Sequence, residues 1–132
     1  MSSIYTFGET VFDIIFENGQ PVAARPGGAM LNTAVSLGRC GHNVSLLTEL
    51  GHDYIGRQVI EFLRENGVGT ESIVPYTGAQ TPIALAFLDQ DKSASYTFYK
   101  SYPEHRLEQA FPRCRKGDIV LFGSFYSLGR QK

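Results

Sequence analysis

Tryptophan is absent, and only two cysteines and three histidines occur in 132 residues. Each scarcity removes a class of explanation. Cys40 and Cys114 lie far apart with no metal-ligand spacing around them, so two reduced thiols are expected, Cys40 as a small core residue, rather than a disulfide scaffold or zinc site. His42, His52 and His105 are equally isolated. They read as surface or turn residues, and no metal-ligating residue is assigned. Neither sign of charge dominates: the formal net charge is -1 and the isoelectric point near 6.3, which leaves no basic footprint for nucleic acid or an anionic membrane surface. No apolar run approaches the roughly 20 residues needed to cross a bilayer, and the start Met1-Ser2-Ser3-Ile4 lacks the parts of a secretory signal. A cytoplasmic location is therefore expected. Internal repeats, low-complexity tracts and linkers are also missing.

What remains is 42% hydrophobic and 19% charged, the make-up of one soluble globular domain. Ile4-Tyr5-Thr6-Phe7, ended by Gly8, predicts a buried first strand. Glu9 and Asp13 follow its carboxyl end, where ligands gather in open α/β sheets. The run from Val11 to Phe16 continues extended, Asn18-Gly19 is a strong hairpin signal, and Gln20 to Ala24 is the return strand. From Ala29 to Cys40 apolar residues recur at helical spacing, with Gly41 placed as a left-handed cap. His42 to Thr48 predicts a second core strand, parallel to the first through a right-handed crossover. A second helix follows, with Asp53 as its cap, Ile55, Val59, Phe62 and Leu63 on its buried face, and Asn66-Gly67 as its stop.

Beyond this helix the pattern turns to strands alone: Ser72 to Val74, Thr81 to Leu88 and Ser93 to Tyr99, the last two joined as an antiparallel hairpin by Asp89-Gln90-Asp91-Lys92. Alternation puts Ala94, Tyr96 and Phe98 on one face and Ser95, Thr97 and Tyr99 on the other, one covered and the other wetter. Leu107 to Phe111 predicts a short helical connection. Ile119 to Phe122 predicts a buried strand with Gly123-Ser124 at its carboxyl end. A small sheet beside a parallel core suggests a lid or an interface.

The stretch around which these elements fall is Pro26-Gly27-Gly28-Ala29-Met30-Leu31-Asn32-Thr33-Ala34. A glycine pair lets a ligand approach the backbone, and the helix start beyond it offers unpaired N–H groups. Taken alone, such a pair is also a common tight turn.

Taken together, Gly8-Glu9 with Asp13, Gly27 to Ala34, Gly38 with Gly41, Gly51-His52-Asp53-Tyr54-Ile55-Gly56, Glu65-Asn66-Gly67-Val68, Thr97-Phe98-Tyr99 and Phe122-Gly123-Ser124 make the chain resemble the amino-terminal half of the PfkB, or ribokinase-like, sugar kinases. It is most similar to the fructokinases. The resemblance implies an α/β fold: the amino-terminal portion of a three-layer αβα core spanning residues 1–132, with lid strands within 11–25 and 72–100. It also implies a sugar site in which Asp13 accepts hydrogen bonds from hydroxyls, Gly27, Gly28 and Asn32 hold further hydroxyls, and Phe98 and Tyr99 close over the ring. Glu9 is either a sugar contact or a brace for the glycine loop. Lys100 stands where fructokinase-like members often carry Arg; it keeps the charge but loses the bidentate fork that would grip a phosphorylated or acidic sugar. Val11 replaces the sugar-binding Asn of ribokinases proper, which favours fructokinase-like substrates.

The family's catalytic aspartate lies in a Gly-Ala-Gly-Asp motif, and no such motif occurs in these residues. No catalytic residue is assigned. ATP and Mg²⁺ are implied for the full-length enzyme, with a small sugar as substrate and a homodimer formed through the lid. Phosphoryl transfer depends on positioning and on charge stabilisation at the transferring group, so this stretch alone is expected to be inactive. The alternative from another class is a non-catalytic sugar-binding or oligomerisation module.

Overall fold

A computed structural model describes residues 1–102 and 111–123, except for the side chain of Val74. The expected helix over Leu107 to Phe111 therefore falls almost wholly outside the described residues.

Two sheets organise the chain. The first is parallel, in the order β10-β1-β4-β6, from β1 (Ile4–Phe7), β4 (Val44–Leu47), β6 (Val68–Gly69) and β10 (Ile119–Phe122). Helices α1 (Ala29–Arg39) and α2 (Tyr54–Glu65) supply the apolar stripes that pack against it. Leu31, Ala34 and Val35 of α1 and Val59 and Leu63 of α2 form one cluster with Val44 and Leu46 of β4. Alternate residues of a strand share a face, so both helices cover the Val44–Leu46 side. The opposite side carries Phe7 against Phe122, with ring centroids 5.5 Å apart, and Phe111 at 5.5 Å from Phe7.

The second sheet is mixed, in the order β3-β2-β8-β9, from β2 (Val11–Glu17), β3 (Gln20–Gly27), β8 (Gln80–Leu88) and β9 (Ala94–Ser101). Its outer pairs are antiparallel hairpins, and β2 and β8 run parallel at its centre. The first hairpin turns at Asn18 and Gly19, whose φ angles of 50° and 72° are those the Asn-Gly signal calls for. Phe12 enters the helical core, and Ile14 and Ile83 pack against it. That anchors one face of the sheet on the α/β body. A third, two-stranded pairing joins β5 (Glu49–Gly51) to β7 (Val74–Tyr76).

Both helix ends follow the expected chemistry. Gly41 takes φ 82° after α1, and its N–H donates to the Gly38 carbonyl at 2.9 Å. Asp53 caps α2 by accepting from the Gly56 N–H at 2.7 Å.

Four expectations are corrected. Cys40 is exposed, because it is the C-cap of α1 and lies past the buried stripe. The strand expected at Ser72 to Val74 begins only at Val74; Ile73 is buried in the core and its N–H bonds to the Thr70 carbonyl at 3.1 Å. Strand β9 is exposed along its whole length rather than covered on one face, because it is the outer strand of the mixed sheet. Among the described residues strand β10 is an edge, with Ile119 and Phe122 left 48% and 59% exposed, not a buried strand.

Candidate functional site

Asp13 sits in the middle of β2, opposite Arg25 of β3 and beside Ala84 of β8, which in turn pairs with Phe98 of β9. Residues paired across strands share a face. Arg25, Asp13, Ala84 and Phe98 therefore form one row across the lid. A Cβ at Gly27 would strike the Asp13 carboxylate, so the missing side chain is what lets the carboxylate lie over the end of β3. Burial pushes the Asp13 carboxyl above its ordinary value, with the Arg25 charge opposing that shift. A half-buried carboxylate with a single nearby cation retains capacity to accept further hydrogen bonds.

The chain then turns at Gly28, the N-cap of α1, with φ 117°. Only glycine adopts this conformation freely, and a Cβ here would also clash with the Glu9 carbonyl. Glu9 is thus packed beneath the glycine loop by its backbone. Asn32 lies one turn into α1, where its N–H bonds to the Gly28 carbonyl at 2.9 Å and its side chain is exposed. Gly27 thus lies against Asp13, and the turn at Gly28 leads into the helix start that exposes Asn32.

The Glu9 side chain is committed elsewhere. Its carboxylate lies 2.6 Å from the Lys100 ammonium and accepts a hydrogen bond from the Tyr102 hydroxyl. The ammonium also lies 4.9 Å from the centroid of the Phe98 ring, within cation–π range. The Glu9 backbone lies under the glycine loop while its side chain is engaged with the lid. Its reach extends from the loop after β1 to the outer strand of the lid.

Phe98 and Tyr99 do not stand together. Phe98 shares the Asp13 face and stacks on Tyr96 at 5.9 Å. Tyr99 pairs with Ile83 on the opposite face, as alternation along a strand requires. The pairing of both rings over one ligand is thereby corrected: only Phe98 is on the Asp13 side.

An unforeseen cluster fixes the lid to the core. Asp53 accepts from the Thr81 N–H at 2.7 Å and the Thr81 hydroxyl at 2.8 Å, in addition to its capping bond. The Thr81 hydroxyl oxygen accepts from the Gly51 N–H at 3.0 Å. Burial works against the Asp53 charge, but the bonds from Thr81 and Gly56, with help from Arg57, outweigh it and hold the carboxyl below its ordinary value. The sequence marked Asp53 as a cap; nothing near Thr81 announced its partner. Among the described residues no group of three His, Cys, Asp or Glu side chains is placed to hold a metal, and no helix is long and apolar enough to cross a membrane.

The profile of the pfkB family carbohydrate kinases matches residues 1–131. Fructokinase-1 of Zea mays is 30% identical over 105 residues, covering 74% of this chain and 32% of that protein. Fructokinase-2 of Solanum lycopersicum is 31% identical over 105 residues, with the same coverage of 74% and 32%. Among solved structures, fructokinase with bound ATP from Xylella fastidiosa aligns with a TM-score of 0.65 at 31% identity, covering 75% of this chain and 33% of that one. A ribokinase from Thermotoga maritima aligns with a TM-score of 0.63 at 18% identity, over 75% of this chain and 36% of that one, a likeness of fold. The chain spans about a third of the length of these relatives.

Proposed function

Because the chain belongs to the pfkB family of carbohydrate kinases, we propose that it carries the acceptor-sugar half of a fructokinase-like enzyme. The ribokinase-like α/β fold expected from its motifs is the one its structural neighbours share. In this reading Asp13 accepts hydrogen bonds from sugar hydroxyls, the glycine loop and Asn32 hold others, and Phe98 covers the ring from the lid. The observation that carries it is the half-buried Asp13 carboxylate, lying over Gly27 beside the Gly28 turn. A polyol suits such a place because its hydroxyls supply the donors a partly desolvated carboxylate needs.

The charges favour a neutral sugar such as fructose. Lys100 is paired with Glu9, and the Arg25 charge acts on Asp13, so the cations beside the site are partly offset. ATP and Mg²⁺ belong to the whole enzyme, and no phosphoryl-transfer step is assigned to this stretch, which is inactive alone. Exposed Tyr96 and Phe98 on the outer strand of the lid support pairing of lids between two copies.

Calorimetric titration with fructose tests the reading. Saturable binding by the chain, weakened about tenfold or more in Asp13→Asn and retained in Tyr99→Ala, is expected. Absence of binding, or binding indifferent to Asp13, would overturn it.

A further inference from the structure

The lid has a second concave side. Between its face opposite Asp13 and the start of α2 lies a cavity of about 600 Å³, lined by Tyr54, Ile55, Gln80, Ile83, Tyr99 and Ser101 together with Asp53, Thr81 and Lys100. This volume is within the range of small-molecule sites.

Its chemistry differs from that of the Asp13 side. The Asp53 carboxylate is occupied by Thr81 and Gly56, and the Lys100 ammonium by Glu9. Both lining charges are thus already engaged, one by hydrogen bonds and one by an ion pair. The walls are two tyrosine rings over isoleucine, and Tyr54 and Tyr99 leave 64% and 56% of their surface in water. Large rings bury 150–250 Å² each when covered, so two of them exposed across one cavity mark surface that a ligand can remove from solvent. The Arg57 guanidinium, 5.7 Å from the Tyr54 centroid, steadies that ring at the rim. Gln80 and Ser101 add an amide and a hydroxyl at the mouth.

We propose that this cavity is a second small-molecule site, separate from the Asp13 site, for a neutral, flat heteroaromatic compound. Stacking and edge contacts with Tyr54 and Tyr99 supply the affinity, Ile55 and Ile83 the apolar floor, and Gln80 and Ser101 the hydrogen bonds to ring substituents. A polyol is a poor fit, because most of its hydroxyls would face Tyr and Ile carbon without partners, each unmet group carrying a desolvation cost. An ion is no better, since Lys100 is held by Glu9 and the Asp53 oxygens already accept from Thr81 and Gly56.

The site also touches the lid's movement. Ile83 is adjacent in sequence to Ala84, which lies beside Asp13, and Thr81 carries the Asp53 contact that fastens β8 to α2. Filling the cavity therefore holds the base of the lid in its present place.

Equilibrium dialysis of the chain against nicotinamide, a neutral flat ring with an amide, tests the proposal. Saturable uptake of one equivalent is expected, weakened at least tenfold in Tyr99→Ala and in Tyr54→Ala, preserved in Tyr99→Phe, and unchanged in Asp13→Asn. Both tyrosines are exposed, so circular dichroism of the variants should match the parent. Ser101→Tyr, which adds bulk at the mouth without removing a wall, should block uptake independently. No saturable uptake, uptake that survives both alanine variants, or displacement by fructose would each overturn the proposal. The first two results leave the Asp13 reading intact, since that reading is tested by fructose binding and its weakening in Asp13→Asn.

Discussion

The Lys100 ammonium lies 2.6 Å from the Glu9 carboxylate, joining residues 91 positions apart, one at the end of lid strand β9 and the other in the loop after β1. The Glu9 carbonyl packs under Gly28 while its carboxylate also receives the Tyr102 hydroxyl. One residue thus links the glycine loop to the lid. Glu9→Gln keeps an acceptor for Tyr102 and removes the ion pair; Lys100→Met keeps a side chain of similar length and removes the charge. Each should lower stability by about 0.5–1 kcal/mol, because the pair is only partly shielded from solvent. Combining the two should cost little more than either alone in denaturant titrations. Faster amide exchange in β9 should accompany both, and unchanged exchange there would show that the pair does not hold the lid.

Asp13 should trade stability for binding. Its carboxyl is held above its ordinary 3.8 by burial, so the folded state binds this proton more tightly than the unfolded state does. The Asp13 contribution to stability is therefore largest below the unfolded value and is lost as pH rises through the raised folded one. Near neutrality the charge is a cost in the sugar-free fold. Asp13→Asn should leave the melting temperature unchanged or slightly raised at pH 7, while weakening fructose binding by about tenfold or more, the effect of removing a hydrogen bond to a charged group. A variant that melts much lower would identify Asp13 as a structural residue instead.

Much of the fold is legible from local signals because those features have local causes. Asn18-Gly19 needs only two backbone conformations to make its hairpin, and Asp53 needs only the N–H of Gly56, three residues on, to cap α2. Features that escape depend on partners remote in sequence. The parallel pairing of β2 with β8 brings Asp13 beside Ala84, and no periodicity in either strand announces it. Thr81 reads as the first residue of an ordinary strand, yet three of its hydrogen bonds go to Asp53 and Gly51. Burial of Ile119 to Phe122 was read from apolar composition, whereas exposure is decided by what lies on the strand. Alternation separates Phe98 from Tyr99, and that rule was available in the sequence.

The Thr81 cluster should be the more costly of the two lid attachments to break. Thr81→Val keeps the shape but removes the hydroxyl that serves Asp53 and Gly51, leaving a buried N–H without its acceptor, a loss of about 1–3 kcal/mol. Asp53→Ala removes the cap as well as both Thr81 bonds, and a cap alone is worth about 0.5–2 kcal/mol. Here the pH sign is opposite to that of Asp13. Asp53 is held below 3.8 in the fold, so its contribution is present above the unfolded value and is lost as pH falls through the lowered folded one. Acid titration followed by circular dichroism should show parent and Asp53→Asn converging in stability as the pH drops below 3.8. A gap that stays constant to the lowest pH would remove the charge from the account.

The β10 edge predicts association. Among the described residues this strand pairs with β1 alone, and no described strand lies along its outer backbone row. Its side chains offer no protection, since Ile119 and Phe122 are apolar and largely exposed, and Phe122 continues into the Phe7 and Phe111 rings. An open row of N–H and C=O groups beside apolar rings supplies both the direction and the driving force for pairing. Sedimentation velocity should therefore show the average size of the chain rising with concentration. Ile119→Lys places a charge on the edge, as protected edge strands do, and Phe122→Glu breaks the aromatic surface; each should shift the population toward monomer without changing the circular dichroism spectrum. Association that persists in both variants but disappears in Phe98→Ser would leave the proposed lid pairing as the sole contact, and a parent chain that stays monomeric at high concentration would remove the β10 edge as an interface altogether.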